Sequence, residues 1–173
     1  MPLQYISEYN PDWPQRFKQI ADRLQTALPA DCQIHHVGST AIPRMPAKDI
    51  IDVDIQCPSG QLSQVIEVLE KLGYSHEGDQ GIPGREAFRP VDGPPATALP
   101  AHHLYVCETE AAELHNHLAF RDYLLESPGR AHWLGQQKRL ADQKATSRSE
   151  YIANKANAYE VINQQVQKWR QAR

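Results

Sequence analysis

The chain has 173 residues, with 18 Lys and Arg against 21 Asp and Glu, a formal net charge of −3 and 40% hydrophobic residues. At this length a folded chain buries roughly 70% of its unfolded surface, enough for one core, so a single domain over residues 1–173 is expected. The slight acidic excess excludes a surface built for broad contact with nucleic acid or anionic membrane and leaves a local basic pocket open. Three widely spaced cysteines, Cys32, Cys57 and Cys107, form neither a C-x-x-C pair nor a disulfide framework. No basic-then-apolar leader and no apolar run of about 18 residues is present, so a cytoplasmic protein that does not enter a membrane is expected.

Apolar residues at Phe17, Ile20, Leu24 and Leu28 predict a helix from Trp13, with Pro14 in its first turn and Asp12 as N-cap. Gln33–Val37 reads as a strand running into Gly38-Ser39, and the stretch holding Pro43 and Pro46 cannot continue as a long helix. Ile50–Gln56 is the clearest strand. Leu62, Val65, Ile66 and Leu69 mark a second helix, ended by Gly73. Short strands are expected at 86–89 and 103–107, separated by a proline-rich segment, Pro90 to Pro100, that reads as a mobile loop. Helices then fill the remainder, at about 114–125, 131–144 and from 149 onward. In the last, Ile152, Lys155, Tyr159, Ile162, Val166 and Trp169 form the expected inward stripe, with one lysine among them.

Strand alternation puts Asp52 and Asp54 on one face and Ile51, Val53 and Ile55 on the other. Each carboxylate raises the other's pKa unless a cation lies between them, so the pair points to a divalent metal such as Mg²⁺; a solvated edge-strand face is the alternative. Upstream, with twelve residues, Thr40 to Ile51, between Ser39 and Asp52, Gly38-Ser39 ends a strand with a glycine that admits close backbone approach and a hydroxyl that can hold a phosphate oxygen. Alone this is a turn signal, and no Walker P-loop is present.

The combined pattern, Val37-Gly38-Ser39 followed by Asp52-Val53-Asp54-Ile55, resembles the signature of the DNA polymerase beta-like nucleotidyltransferase superfamily. His36-Val-Gly-Ser-Thr-Ala-Ile-Pro43, Ala47-Lys48 and Ile51-Asp52 resemble, more closely, the GrpB family within it. The likeness extends to Tyr9-Asn-Pro-Asp-Trp-Pro14, Gly84-Arg85, Phe88-Arg89, His103, Leu118 to Leu124 and the terminal helix with Lys155. It implies an α/β (α+β) nucleotidyltransferase-like fold: a small mixed sheet flanked by helices over about 30–108, then a helical C-terminal region over about 110–173. It also implies that Gly38, Ser39 and Lys48 contact a nucleoside triphosphate, while Asp52 and Asp54 hold Mg²⁺ for attack by an unknown acceptor on the α-phosphate. Superfamily members supply a third carboxylate from a neighbouring strand; Glu86 is the candidate by position, and His103, beside Tyr105, is a candidate proton acceptor or phosphate donor.

An inward lysine must snorkel or meet an anion, and Lys155 is therefore a candidate phosphate ligand. Arg85 and Arg121 are candidate phosphate forks, Arg121 equally a surface ion pair with Asp122. The eight histidines lack zinc spacing: His115 and His117 stand two apart, and no H-E-x-x-H occurs. Apart from His103 they read as structural or surface residues. Two functions follow: a Mg²⁺-dependent nucleotidyltransferase, or a non-catalytic nucleotide-binding or folding-accessory module related to the domain found fused to dephospho-coenzyme A kinase. A nucleic-acid partner ranks last, for want of a basic stripe with interleaved aromatics.

Overall fold

The structure is a computed structural model describing residues 2–91 and 98–173. Helix α1 (Trp13–Gln25) starts with proline in its first turn, but the Asp12 side chain makes no cap hydrogen bond. Asp12 instead donates its own N–H to Asn10 Oδ1 at 2.9 Å. Strands β1 (Gln33–Val37), β2 (Ile51–Cys57), β3 (Tyr74–His76), β4 (Arg85–Pro90) and β5 (His102–Glu108) form a mixed sheet of order β1-β2-β5-β4-β3. The central pair, β2 and β5, is parallel, and the other neighbours are antiparallel. Helix α2 (Leu62–Lys71) lies between β2 and β3 in the chain; α3 (Ala112–Glu126), α4 (Pro128–Lys144) and α5 (Arg148–Gln171) follow the sheet. Strand β3 was not expected, because three residues are too few to display an alternation. The middle of the expected proline-rich loop, 92–97, lies outside the described residues.

The sheet has two unlike faces. On one, Ile51, Val53, Ile55, Leu104 and Val106 are buried against Trp13, Ile20 and Leu24 of α1 and Val65 and Leu69 of α2. The opposite face carries Asp52, Asp54, His103 and Tyr105, and α3 lies over it with its His117 on Asp54. A second core joins Ile42 and Met45 to Tyr123, Leu134, Ile162 and Val166 of the C-terminal helices.

The phase of α5 differs by one position at its start from the expected stripe. Tyr151 is fully buried and Ile152 is 47% exposed. A capping box sets the register: Ser147 Oγ accepts from the Glu150 N–H at 3.1 Å, and Glu150 Oε2 accepts from the Thr146 N–H at 2.6 Å. Inward positions are therefore Tyr151, Lys155, Ala158, Ile162 and Val166.

The segment before α1 is strapped to the C-terminal helices. Asp142, completely buried in α4, accepts the backbone N–H groups of Gln4, Tyr5 and Ile6 at 2.8, 2.7 and 3.1 Å. Tyr5 stacks on Tyr151, Arg139 grips Glu8, and Ser7 pairs with Ala47 through two backbone hydrogen bonds. Among the described residues no helix is long and apolar enough to cross a membrane.

Candidate functional site

At the end of β1 the chain turns through Gly38 into one 3₁₀ turn, Ser39–Ala41. Gly38 has φ +72°, and a Cβ there would collide with Asp52 Oδ2, so only glycine lets this carboxylate lie against the turn. Register then assembles the group around it. Asp52 stands opposite Val37 on β1 and His103 on β5; Asp54 stands opposite His35 and Tyr105. His103 Nδ1 lies 3.0 Å from Asp52 Oδ1.

Asp54 has no exposed surface. Its Oδ2 meets His117 Nδ1 at 2.7 Å, and the other ring nitrogen of His117 meets Glu113 Oε1 at 3.0 Å. Burial opposes charge on this imidazole, yet the hydrogen bond to Asp54 and the charges of Asp54 and Glu113 outweigh it and raise the pKa. With a carboxylate at each nitrogen, the doubly protonated ring satisfies both. The remaining oxygen, Asp54 Oδ1, is buried with no hydrogen-bond partner. An orphaned carboxylate oxygen beside a second carboxylate is what a hard cation requires. Among the described residues no cluster of three His, Cys, Asp or Glu side chains could hold a metal ion. Two carboxylates nevertheless fit Mg²⁺, which takes its other ligands from water and substrate phosphates.

A pocket of about 270 Å³ opens beside Asp52, lined by Gly38, Ser39, His103, Lys48, Lys138 and Lys155 among others. Lys138 of α4 is 2% exposed, and its Nζ donates to Ser39 Oγ at 2.8 Å. Burial, then the neighbouring charge of Lys155, pushes its pKa down to about 7. Lys155 lies over the rings of Tyr151 and Tyr159, at 4.8 and 5.2 Å from their centroids, and its pKa is lowered by burial and by Lys48 and Arg148. Lys48 is shifted down as well, by burial and Arg148. Tyr159 holds Ser39 Oγ from the other side at 3.2 Å, and the Tyr151 hydroxyl is buried without a partner. Three lysines thus share a half-enclosed pocket, Lys155 repelled by Lys48 and repelling Lys138, an arrangement whose chemistry suits an anion.

The sequence-derived candidates separate accordingly. Gly38, Ser39, Lys48, Asp52, His103 and Lys155 line this pocket, and Asp54 adjoins Asp52 on the same strand face. Glu86 does not join them. It pairs with Val106, whose side chain belongs to the opposite, apolar face, and its carboxylate is 2.6 Å from His76 Nε2. Arg85 is on the carboxylate face but stacks over Tyr105, 4.3 Å from the ring centroid. Arg121 braces α3 against β1, donating to the His36 carbonyl at 3.3 Å and to Asp122 at 2.7 Å. Lys138, Tyr159, His117 and Glu113 were not foreseen. Lys138 could have been found by the rule that found Lys155, since Ala131, Leu134, Lys138, Ala141 and Ala145 repeat at three- and four-residue spacing. Glu113 and His117 are an i,i+4 pair, which a zinc-directed comparison of His117 with His115 overlooks.

Comparison with known proteins gives this arrangement a family. The model of the GrpB protein family matches residues 5–165. YqkA of Bacillus subtilis is 34% identical over 168 residues, 95% of this chain and 48% of YqkA. A relative from Pseudomonas aeruginosa is 36% identical over 150 residues, 84% of this chain and 60% of that protein. The chain thus spans about half the length of YqkA. The crystal structure of the conserved protein GrpB from Enterococcus faecalis superposes with a TM-score of 0.74 at 30% identity, over 95% of this chain and 98% of that one. Cid1 in complex with its short product ApU superposes with a TM-score of 0.54 at 13% identity, over 77% of this chain and 42% of Cid1. That likeness is one of fold, the nucleotidyltransferase fold. With the carboxylates, the glycine turn, α3, α4 and most of α5 inside the matched span, the chain belongs to the GrpB family.

Proposed function

We propose that the protein binds a nucleoside triphosphate with Mg²⁺ and transfers a nucleotidyl group to an acceptor. The observation that carries this reading is the adjacency of Asp52 and Asp54, one with an orphaned buried oxygen, to a pocket holding three lysines without carboxylate partners among the described residues. Asp52 and Asp54 would hold the metal, which when bound neutralises charge on the phosphates and favours displacement of pyrophosphate. Lys138 and Lys155 would take the β- and γ-phosphate oxygens, exchanging mutual repulsion for charge-assisted hydrogen bonds. Ser39, held between Lys138 and Tyr159, would present its hydroxyl to the same oxygens. Gly38 keeps Asp52 close to that turn, and His117 fixes Asp54 so that one oxygen stays free.

A second reading, a nucleotide-binding module without transferase activity, is favoured by one observation. The β5 position beside Asp52 carries His103 rather than a carboxylate, and Glu113 approaches Asp54 only through His117. Thermal melts with Mg²⁺ and each of the four nucleoside triphosphates test what both readings share. At a hundredfold excess over Kd the fold gains about 2.7 kcal/mol, a rise in Tm of roughly 5–10 °C. The combined Asp52→Asn and Asp54→Asn variant should show no rise. No shift with any of the four at millimolar concentration counts against nucleotide binding altogether, and a shift without transfer of an α-phosphate label to any acceptor leaves the binding module.

A further inference from the structure

A second cleft, of about 430 Å³, adjoins the lysine pocket and shares Gly38, Phe120 and Tyr159 with it. It follows α3 and α5 toward the Asp54 side, where Glu113 and His117 line it. Phe120 and Tyr159 stack at 5.8 Å with an interplanar angle of 8° and form the shoulder common to both spaces. The exposed residues of its lining are the carboxamides Asn116, Asn163 and Gln167, and Val166 with the two rings adds an apolar wall. Among the described residues no Lys or Arg lines it. Two arginines stand nearby without lining it: Arg170, at the rim, donates to Asn116 Oδ1 at 2.9 Å, and Arg85 stacks on Tyr105. His117 is held between two carboxylates, so its charge is already compensated.

The two spaces therefore differ in character. One is lined by three lysines; the other offers three amides, an aromatic shoulder and a histidine already held between two carboxylates, with no Lys or Arg in its lining among the described residues. Nucleic acid is bound chiefly through lysine and arginine contacts to its phosphates, and this cleft supplies none. Its volume is in the range of small-molecule pockets. Asn116 Oδ1 accepts from Arg170, which leaves the amide N–H groups as donors, while Asn163 and Gln167 can donate or accept.

We infer that this cleft is the acceptor site and that the acceptor is a small neutral or cationic molecule bearing a hydroxyl group, not a nucleic acid. The inference rests on the transferase reading above. The acceptor's hydroxyl oxygen forms a new bond to the α-phosphorus and the α–β bridging P–O bond breaks. Pyrophosphate leaves with that electron pair, and the hydroxyl proton passes to water. Glu113 and Asp54 together carry one negative charge more than His117 balances, and this excess favours a positive charge on the acceptor.

The test uses the full chain with Mg²⁺ and the four nucleoside triphosphates carrying an α-phosphate label. The acceptors are glycerol, ethanolamine, glucosamine, a tri-amino sugar conjugate and an RNA oligonucleotide with a free 3′ hydroxyl. Label is expected on one or more of the small hydroxy compounds, most on a cationic one, and none on RNA. Asn163→Leu and Gln167→Leu, whose side chains make no hydrogen bond that anchors the lysine pocket, should raise KM for that acceptor about tenfold and leave the Mg²⁺-nucleotide melting shift intact. Labelling of RNA or of the protein itself overturns the inference. So does a KM unchanged in both variants, or a protein that shows the nucleotide shift yet labels no small acceptor. Absence of the nucleotide shift in the unmodified protein is a different failure, that of the nucleotide-binding reading.

Discussion

Replacing Lys138 by methionine separates what this lysine costs the fold from what it offers a ligand. Its Nζ has one hydrogen bond, to Ser39, and no ion pair among the described residues, and its pKa drops from 10.5 to about 7, mainly through burial. A group that loses its proton on folding destabilises the fold fully below the folded pKa, and the penalty fades as pH rises toward the unfolded value, because in that window only the unfolded chain holds the proton. At 1.36 kcal/mol per unit the interval is worth about 5 kcal/mol. Methionine preserves the volume and gives up a hydrogen bond of about 1 kcal/mol. Lys138→Met is therefore expected to be more stable than the natural chain by about 2–4 kcal/mol at pH 7. The gap should close by about 1.4 kcal/mol per pH unit between roughly pH 7.5 and 9.5. Urea melts of both proteins at pH 7, 8 and 9 measure it, and other ionisations cancel in the difference. The same variant should bind Mg²⁺-nucleotide about ten- to a hundredfold more weakly, having lost a charge-assisted bond. A variant no more stable at pH 7, or a gap that ignores pH, would refute the reasoning and mean that the ammonium is satisfied in the free protein.

Two further outcomes follow from other contacts. His117→Gln removes an imidazolium whose raised pKa places its stabilising effect at low pH, fully present below about 6.5 and lost as pH climbs through the folded value. The Tm difference between natural chain and variant should therefore be larger at pH 6 than at pH 9, and Mg²⁺ affinity measured by calorimetry with nucleotide present should fall about ten- to a hundredfold. Asp142→Ala leaves three backbone N–H groups without their acceptor and should cost about 3 kcal/mol or more. Hydrogen exchange at Gln4, Tyr5 and Ile6 should then approach the unprotected rate, and protection retained there would show that the strap is held by its side chains alone.

Much of the site was legible because its logic is local. Alternation in one strand put Asp52 and Asp54 on a common face, and the expected strand ending at Gly38 placed the turn beside them. Lys155 was legible because a cation interrupts an apolar stripe. Lys138 interrupts a similar stripe, but α4 also turns the buried Asp142 inward, so its polar and apolar positions do not segregate cleanly in sequence. Glu86 shows the limit of strand reasoning. Sharing a face with Phe88 already set it on the core side, yet only the pairing of β4 with β5 reveals that this face is the one away from Asp52 and Asp54. His117 depended on where α3 crosses the sheet, 63 residues along the chain from Asp54, a distance no periodicity encodes.

The strap at residues 4–6 has a consequence for the order of events in biosynthesis. Its partner in α4 lies 136 to 138 residues downstream, so residues 4–6 wait for α4 to be made before they can settle. Ile6 walls the lysine pocket, and Tyr151, Lys155 and Tyr159, which complete it, arrive later still. The sheet and its carboxylates can assemble while translation continues. The pocket itself closes only when residue 6 meets α4 and α5, so a chain interrupted before α4 carries Asp52 and Asp54 without the enclosure beside them.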